Sequence, residues 1–321
     1  MAGMIYPDEI DFDAYLHETD AQQKVRPASE WVDELIARIE NPTRPRHALM
    51  PWRKTHGLIQ FRPGEVTLWG GANGGGKSLV TGQIALSLGA QGERLCIASF
   101  EMKPIRTLER MGRQWSGQNP NDPAYAGSEE AKRLVLDVYG QFRDWTDTRL
   151  WFYDQQGKVT ASQVIAVARY CAKEKGITQF FIDSLMKCID GEDDYNGQKA
   201  FVDELTAIAR DYQIHIHLVH HIRKPADESY KPCKYDYRGS GAITDQVDNV
   251  ISVWRNKPKE RDVAAGKQVK ESDPDALLIC DKNRNGEWEG QIALWFEPAS
   301  QQFVGSPGAE PLVLYRHPED Q

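Results

Sequence analysis

The chain has 321 residues, 40% of them hydrophobic, and its 39 Lys plus Arg against 47 Asp plus Glu leave a net charge of −8. Roughly three quarters of the unfolded surface can be buried at this length, so a full core needs no disulfide or metal staple. The acidic balance excludes a protein that coats nucleic acid by bulk positive charge, and apolar runs of only strand length exclude a membrane span.

Three zones follow in chain order. Residues 1–50 are acidic and then punctuated by proline. Asp8, Glu9, Asp11, Asp13, Glu18 and Asp20 precede the first cation, Lys24, which is the wrong sign for a signal or transit peptide. One helix is expected at 29–40. Ser29 is placed to cap it after Pro27, and Val32, Leu35, Ile36 and Ile39 recur on one face beside Trp31. Asn41-Pro42 ends it. Such a helix either packs on its own core or forms an arm docked on a neighbouring subunit.

Residues 51–305 alternate strand and helix patterns. Strands are expected at 65–70, 94–100, 149–154, 179–184, 214–220, 249–255, 276–282 and 291–297. Helices are expected at 78–90, 103–116, 128–143, 160–175 and 197–212. Apolar strands separated by helices predict an α/β fold with a mostly parallel sheet covered on both faces. Ligands in such folds sit at the carboxyl ends of strands. Residues 306–321, with Pro307, Pro311 and Pro318, read as a loose tail.

The first strand runs into Gly71-Ala72-Asn73-Gly74-Gly75-Gly76-Lys77-Ser78. This is a complete G-x-x-x-x-G-K-[ST] between a strand and a helix, the context that a phosphate loop requires. Gly71, Asn73, Gly74, Gly75 and Gly76 would curl backbone N–H groups around phosphate, helped by the helix N-terminus. Lys77 would reach the β- and γ-phosphates of ATP, and the Ser78 hydroxyl would bind Mg²⁺. The next strand ends in Glu101, a candidate base for polarising water; its other reading is a cap for the helix at 103–116. Phe180-Phe181-Ile182-Asp183 is an apolar strand ending in a carboxylate, the second metal-side group.

Ile214 to His221 reads IHIHLVHH. His215 and His217 share one strand face, but the Asp of an H-x-H-x-D-H metal motif is replaced by Val219, so packing against the helical layer is the simpler expectation. His221, at the strand end, is placed to sense the γ-phosphate. The loop 222–240 then carries Arg223, Lys224, Lys231, Lys234 and Arg238 against Asp227, Glu228 and Asp236. Tyr230, Tyr235 and Tyr237 interleave with these cations, a pattern suited to single-stranded nucleic acid or equally to a solvated loop. Cysteines at 96, 171, 188, 233 and 280 form no C-x-x-C pair, which predicts reduced thiols, a cytoplasmic setting and no zinc ribbon.

Taken together, GGANGGGKS at 70–78, SFEM at 99–102, FFIDSL at 180–185, LVHHIRKP at 218–225, RGSGAITDQVDN at 238–249 and DKNRNGEWEG at 281–290 resemble the DnaB-type replicative ring helicases. The likeness is to the helicase half of phage primase–helicases and of Twinkle. It implies a RecA-like core over 51–305, a homo-hexameric ring around single-stranded DNA, ATP and Mg²⁺ at subunit interfaces, and 5′→3′ translocation. By position, Glu101 resembles the catalytic glutamate and His221 the phosphate-sensing residue. Arg284 resembles an arginine finger reaching the neighbour's γ-phosphate, with Lys282 beside it. Arg255 and Phe296 resemble the pair lying against the adenine. DNA contacts are implied for Arg223, Lys224, Lys231, Lys234, Arg238, Gly239 and Ser240.

Two departures stand out. Asp190, Glu192, Asp193 and Asp194 occupy the other expected DNA loop, and Thr244 stands where the phage type has Arg. Little chain precedes the helix at 29–40, so a primase, like a polymerase or loader, is expected as a separate chain. A RecA- or RadA-like recombination ATPase and a partner-remodelling loader ATPase remain the alternative readings.

Overall fold

The computed structural model of the protein describes residues 3–6, 10–12, 28–40, 48–123, 128–189, 191, 193–225, 227–239 and 241–317. In chain order the elements begin with β1 (Gly3–Ile5), α1 (Ala28–Glu40), β2 (Ala48–Leu49), β3 (Gln60–Phe61), β4 (Val66–Gly70) and α2 (Lys77–Ala90). Next come β5 (Leu95–Ser99), α3 (Pro104–Ser116), α4 (Glu129–Thr146), β6 (Leu150–Tyr153), α5 (Ala161–Glu174), β7 (Gln179–Asp183) and α6 (Tyr195–Tyr212). The last are β8 (His215–Val219), α7 (Ala242–Gln246), β9 (Asn249–Arg255), α8 (Lys257–Ala264), β10 (Ala276–Asn283), β11 (Gly290–Glu297) and β12 (Gln302–Val304).

One 10-stranded sheet has the order β1-β6-β5-β7-β8-β4-β9-β10-β11-β12. The strands from β1 to β9 pair in parallel, and β10, β11 and β12 continue antiparallel. Side chains alternate between two cores, as the period of a strand dictates. On one face Val66, Leu68, Cys96, Ala98, Phe180 and Ile182 meet Val164, Ile165, Val202 and Leu205 of α5 and α6. On the other, Trp69, Leu95, Ile97 and Phe181 meet Val80 and Ile84 of α2, Met111 of α3 and Phe142 of α4. The α/β reading is therefore correct, with helices covering both faces of a mostly parallel sheet. No helix among the described residues is long and apolar enough to cross a membrane.

Local chemistry explains several boundaries. Thr160 and Gln163 form a reciprocal capping box that starts α5, and Ser128 caps α4 by accepting from the Ala131 amide. The chain ends depart from the expected arm and tail. Gly3–Ile5, inside the zone read as an arm, pairs with Trp151–Tyr153 at the sheet edge. Residues read as a loose tail are fastened: the Leu314 amide donates to Trp115 O at 2.9 Å, and Tyr315 donates its hydroxyl to Asp137 at 2.9 Å. These contacts are long-range, so local composition could not reveal them. Helix α1 forms as expected, with Val32, Ile36 and Ile39 exposed. The side chains of Trp31 and Leu35, along with Pro27, Asn41, Pro42 and Pro318, lie outside the described residues.

The histidine strand is a packing device. His217 stacks on Phe181 with ring centroids 4.0 Å apart; its Nδ1 accepts from Trp69 Nε1 and its Nε2 donates to Gln179. His215 donates Nδ1–H to Arg62 O, and its Nε2 accepts from Thr67. Among the described residues no cluster of His, Cys, Asp and Glu is arranged to hold a metal alone. Burial pulls His215 and His220 down to about 4 and His217 well below its ordinary value. Unfolded histidines protonate near 6.5 while these stay neutral, so their contribution is complete above that pH and declines as the pH falls below it. We expect urea unfolding at pH 5 to show a loss of about 1–2 kcal/mol per buried histidine relative to pH 7.5. A flat profile would show that these rings are hydrated.

Candidate nucleotide site

The loop 71–76 joins the buried end of β4 to the start of α2. Gly74 and Gly76 take left-handed backbone angles, φ +68° and +86°, and a Cβ on Gly75 would lie 2.8 Å from Ala72 O. Only glycine suits these positions. Gly76 is also the N-cap of α2, which turns the helix's free amides toward the loop's hollow. Lys77 is buried, and its Nζ donates to Gly71 O at 2.8 Å and Ala72 O at 3.0 Å. Burial lowers its pKa, while Asp183 and Glu101 pull the other way. The ammonium is thus held at the loop by weak carbonyl partners that a phosphate would outcompete.

Strand order brings the carboxylates to this loop. Strands β4, β8, β7 and β5 are consecutive neighbours, so their carboxyl ends form one edge. Ser78 donates its hydroxyl to Asp183 Oδ2 at 3.0 Å. Burial raises the Asp183 carboxyl, and the Ser78 bond opposes that. These paired oxygens suit Mg²⁺, which takes one or two protein oxygens and completes its shell with water and phosphate. Glu101 Oε1 accepts from Ser184 at 3.1 Å and faces His221 Nε2 at 3.6 Å. The His221 ring and the Ser184 bond hold the Glu101 carboxyl down at about 2 against desolvation. It therefore remains ionised throughout the neutral range. The N-cap of α3 is Lys103, without a side-chain cap, so Glu101 does not serve that helix.

The P-loop, Glu101, Asp183, His221 and Arg255 line one open cleft of about 370 Å³. Arg110 and Gln301 line it too, and the sequence reading missed both. Arg110 follows Arg106 by four positions on α3, a helical spacing that could have pointed to it. At the rim the Arg255 guanidinium lies 5.6 Å from the ring centre of Phe296, so the expected base-contacting pair does meet.

Arg284 and Lys282 do not reach this cleft. Arg284 pairs with Asp248 Oδ1 at 3.1 Å and donates to Asp245 O at 2.9 Å. Lys282 donates to Thr244 O and Asp245 O at 2.9 and 2.7 Å. Asp248 Oδ2 accepts the Val66 amide at the first residue of β4, whereas the P-loop leaves its last, Gly70. At about 3.3 Å per residue the strand alone separates the two sites by roughly 13 Å.

The basic loop is folded. Ile222 and Tyr237 form a bridge, and Arg238 donates Nε–H to Ile222 O at 3.0 Å. Arg223, Lys224 and Lys231 are exposed, while Lys234 and Arg238 are half-buried. Lys231 lies over Trp254 and Lys234 over Tyr235, which is 78% exposed. Tyr237 corrects the expectation of three stacking tyrosines. It is buried beside the end of β4, with its hydroxyl 3.1 Å from Ser252 Oγ. Gly239 packs so closely on Gln198 that a Cβ would meet its amide oxygen at 2.0 Å, which joins this turn to α6. Ser240, Asp190 and Glu192 lie outside the described residues.

Residues 53–305 match the family described as the DnaB-like helicase C-terminal domain. A DNA helicase/primase of Enterobacteria phage T3 is 24% identical over 210 residues, covering 61% of this chain and 36% of that protein. The chain thus spans little more than a third of that relative. One solved ATPase domain superposes with a TM-score of 0.69 at 14% identity, over 85% of this chain and 98% of that one. A DnaB-like replicative helicase, solved in a study of its interactions with primase, gives 0.67 at 16% identity, over 88% and 67%.

The approach of Tyr237 to the P-loop strand is open to a direct check. A Cβ on Gly70 would lie 2.2 Å from the Tyr237 hydroxyl. We expect Gly70→Ala to cost about 1–3 kcal/mol in urea unfolding. An unchanged midpoint would mean that Tyr237 does not pack there.

Proposed function

The chain belongs to the DnaB-like helicase C-terminal domain family, and from that premise we propose that it is an ATP-driven DNA helicase, a homo-hexameric ring that moves 5′→3′ on single-stranded DNA. One observation carries the reading. Lys77, Ser78, Asp183, Glu101 and His221 converge on one cleft, while the chain's own Arg284 is fastened at the opposite end of β4. Arg110 and Arg255 line the cleft from within the chain, and an Arg284 held away from its own site suits supply of a further cation by a second copy.

The chemistry follows from the residues. Lys77 exchanges its two loop carbonyls for the β- and γ-phosphates. Ser78 and Asp183 would hold Mg²⁺, which when bound neutralises phosphate charge. Glu101 takes the proton of the attacking water, and Ser184 and His221 aim its carboxylate. Arg284 of the neighbour meets charge developing on the transferred phosphoryl group, which makes hydrolysis depend on assembly. His221 also joins the cleft to the DNA loop, because its carbonyl accepts the Arg238 amide at 3.1 Å. Exposed Arg223, Lys224 and Lys231 would follow the strand's phosphates, and Tyr235 would stack a base. The exposed Val32, Ile36 and Ile39 of α1 fit docking on the next subunit.

Strand displacement tests this function. With ATP and Mg²⁺ the protein is expected to unwind a fork with a 5′ single-stranded tail and to leave a 3′-tailed control intact. Arg284→Ala should bind ATP normally yet lose DNA-stimulated hydrolysis by about 10³-fold or more. Hydrolysis stimulated by single strands without any unwinding would favour the recombination-ATPase reading. Full turnover by Arg284→Ala would remove the trans role.

A further inference from the structure

Helix α8 lies outside the cleft, yet it holds both walls of the base site. Glu260 on this helix accepts the Nε–H of Arg255. Its other oxygen takes Lys257 Nζ at 3.0 Å. The helix is fixed in turn: its N-cap Asn256 accepts the Lys259 amide at 3.1 Å and donates its own amide to Asp275 O at 2.8 Å. Asp275 completes the frame. Its Oδ1 pairs with Lys259 Nζ at 2.7 Å, and its Oδ2 accepts the Phe296 amide at 2.8 Å. Two carboxylates therefore tie one short helix to Arg255 on one side and to Phe296 on the other.

The consequence concerns orientation. A free arginine side chain samples many rotamers, and its planar cation stacks on a nucleobase only when the plane is correctly turned. An acceptor on Nε fixes that plane and leaves the faces of the guanidinium clear. Lys257 shares the carboxylate, so Glu260 is balanced by two cations and Arg255 keeps its stacking character. We propose that Glu260 is a positioning residue that sets the Arg255 guanidinium for stacking on the base of a nucleoside triphosphate. This rests on the cleft being the nucleotide site, and it adds a determinant of base affinity that touches no part of the nucleotide.

The test is displacement of a fluorescent ribose-labelled ATP by unlabelled ATP and by inorganic tripolyphosphate. It compares the full chain with Arg255→Ala, Glu260→Ala and the double variant. Each single variant is expected to weaken ATP about five- to tenfold and to leave tripolyphosphate unchanged. The double variant should be no weaker than Arg255→Ala alone, because Glu260 acts through that arginine. Glu260→Gln, equal in size and uncharged, should shift ATP in the same direction and guards against misfolding. Unchanged ATP affinity in Arg255→Ala would overturn the base-site reading beneath the proposal. Weakening by Arg255→Ala but not by Glu260→Ala would overturn the positioning role alone. An equal loss of tripolyphosphate in Glu260→Ala would reduce Glu260 to a structural part of the fold.

Discussion

Strand β4 is a buried strut with a charge-bearing device at each end. Its carboxyl end opens into the P-loop. Its amino end anchors the segment that carries Arg284, through the Val66 amide on Asp248. A polar chain reinforces that anchor: buried Glu65 accepts from Asn249 at 3.0 Å and from Asn285 at 2.7 Å, and Asn249 also donates to Thr67 at 3.2 Å. These bonds fasten Asn249 and Asn285 to the residues that begin β4. With β4 between them, Arg284 and the phosphate loop of the same chain lie roughly 13 Å apart.

Hydrogen bonds also connect the cleft to the basic loop. His220 donates to Arg238 O at 2.8 Å, the Arg238 amide donates to His221 O, and Tyr237 lies against the strand that feeds the P-loop. A shift at the Glu101–His221 contact therefore has a short, covalently and hydrogen-bonded path to the residues that would hold DNA. A carboxylate kept ionised near a ring nitrogen is well suited to register the arrival and loss of a γ-phosphate, since both change the local charge. In the proposed motor this contact links hydrolysis to grip.

Legibility in the sequence followed the range of each interaction. The P-loop was readable because eight consecutive residues specify both its turn and the helix that follows. Glu101 and Asp183 were readable because each ends an apolar run, and parallel topology sends such ends to one edge. Tyr237 was misread because a tyrosine among cations looks the same whether its ring faces solvent or a distant glycine. The paired strand at Gly3–Ile5 and the fastening of Tyr315 were hidden for the same reason, as their partners lie far along the chain. Arg110 and the Glu260–Arg255 pair sit within reach of local spacing rules, but nothing local tells which helix face meets the cleft.

In the proposed ring each active site is built from two subunits. Mixing two inactive variants tests it most directly. Lys77→Ala keeps its finger but cannot hold phosphate, and Arg284→Ala keeps its pocket but lacks the finger. Mixed and allowed to exchange subunits, the pair should regain basal ATP hydrolysis, because some pockets of the second variant then face fingers of the first. A mixture that exchanges subunits and stays as inactive as its components would contradict the account and place the missing cation within the chain itself.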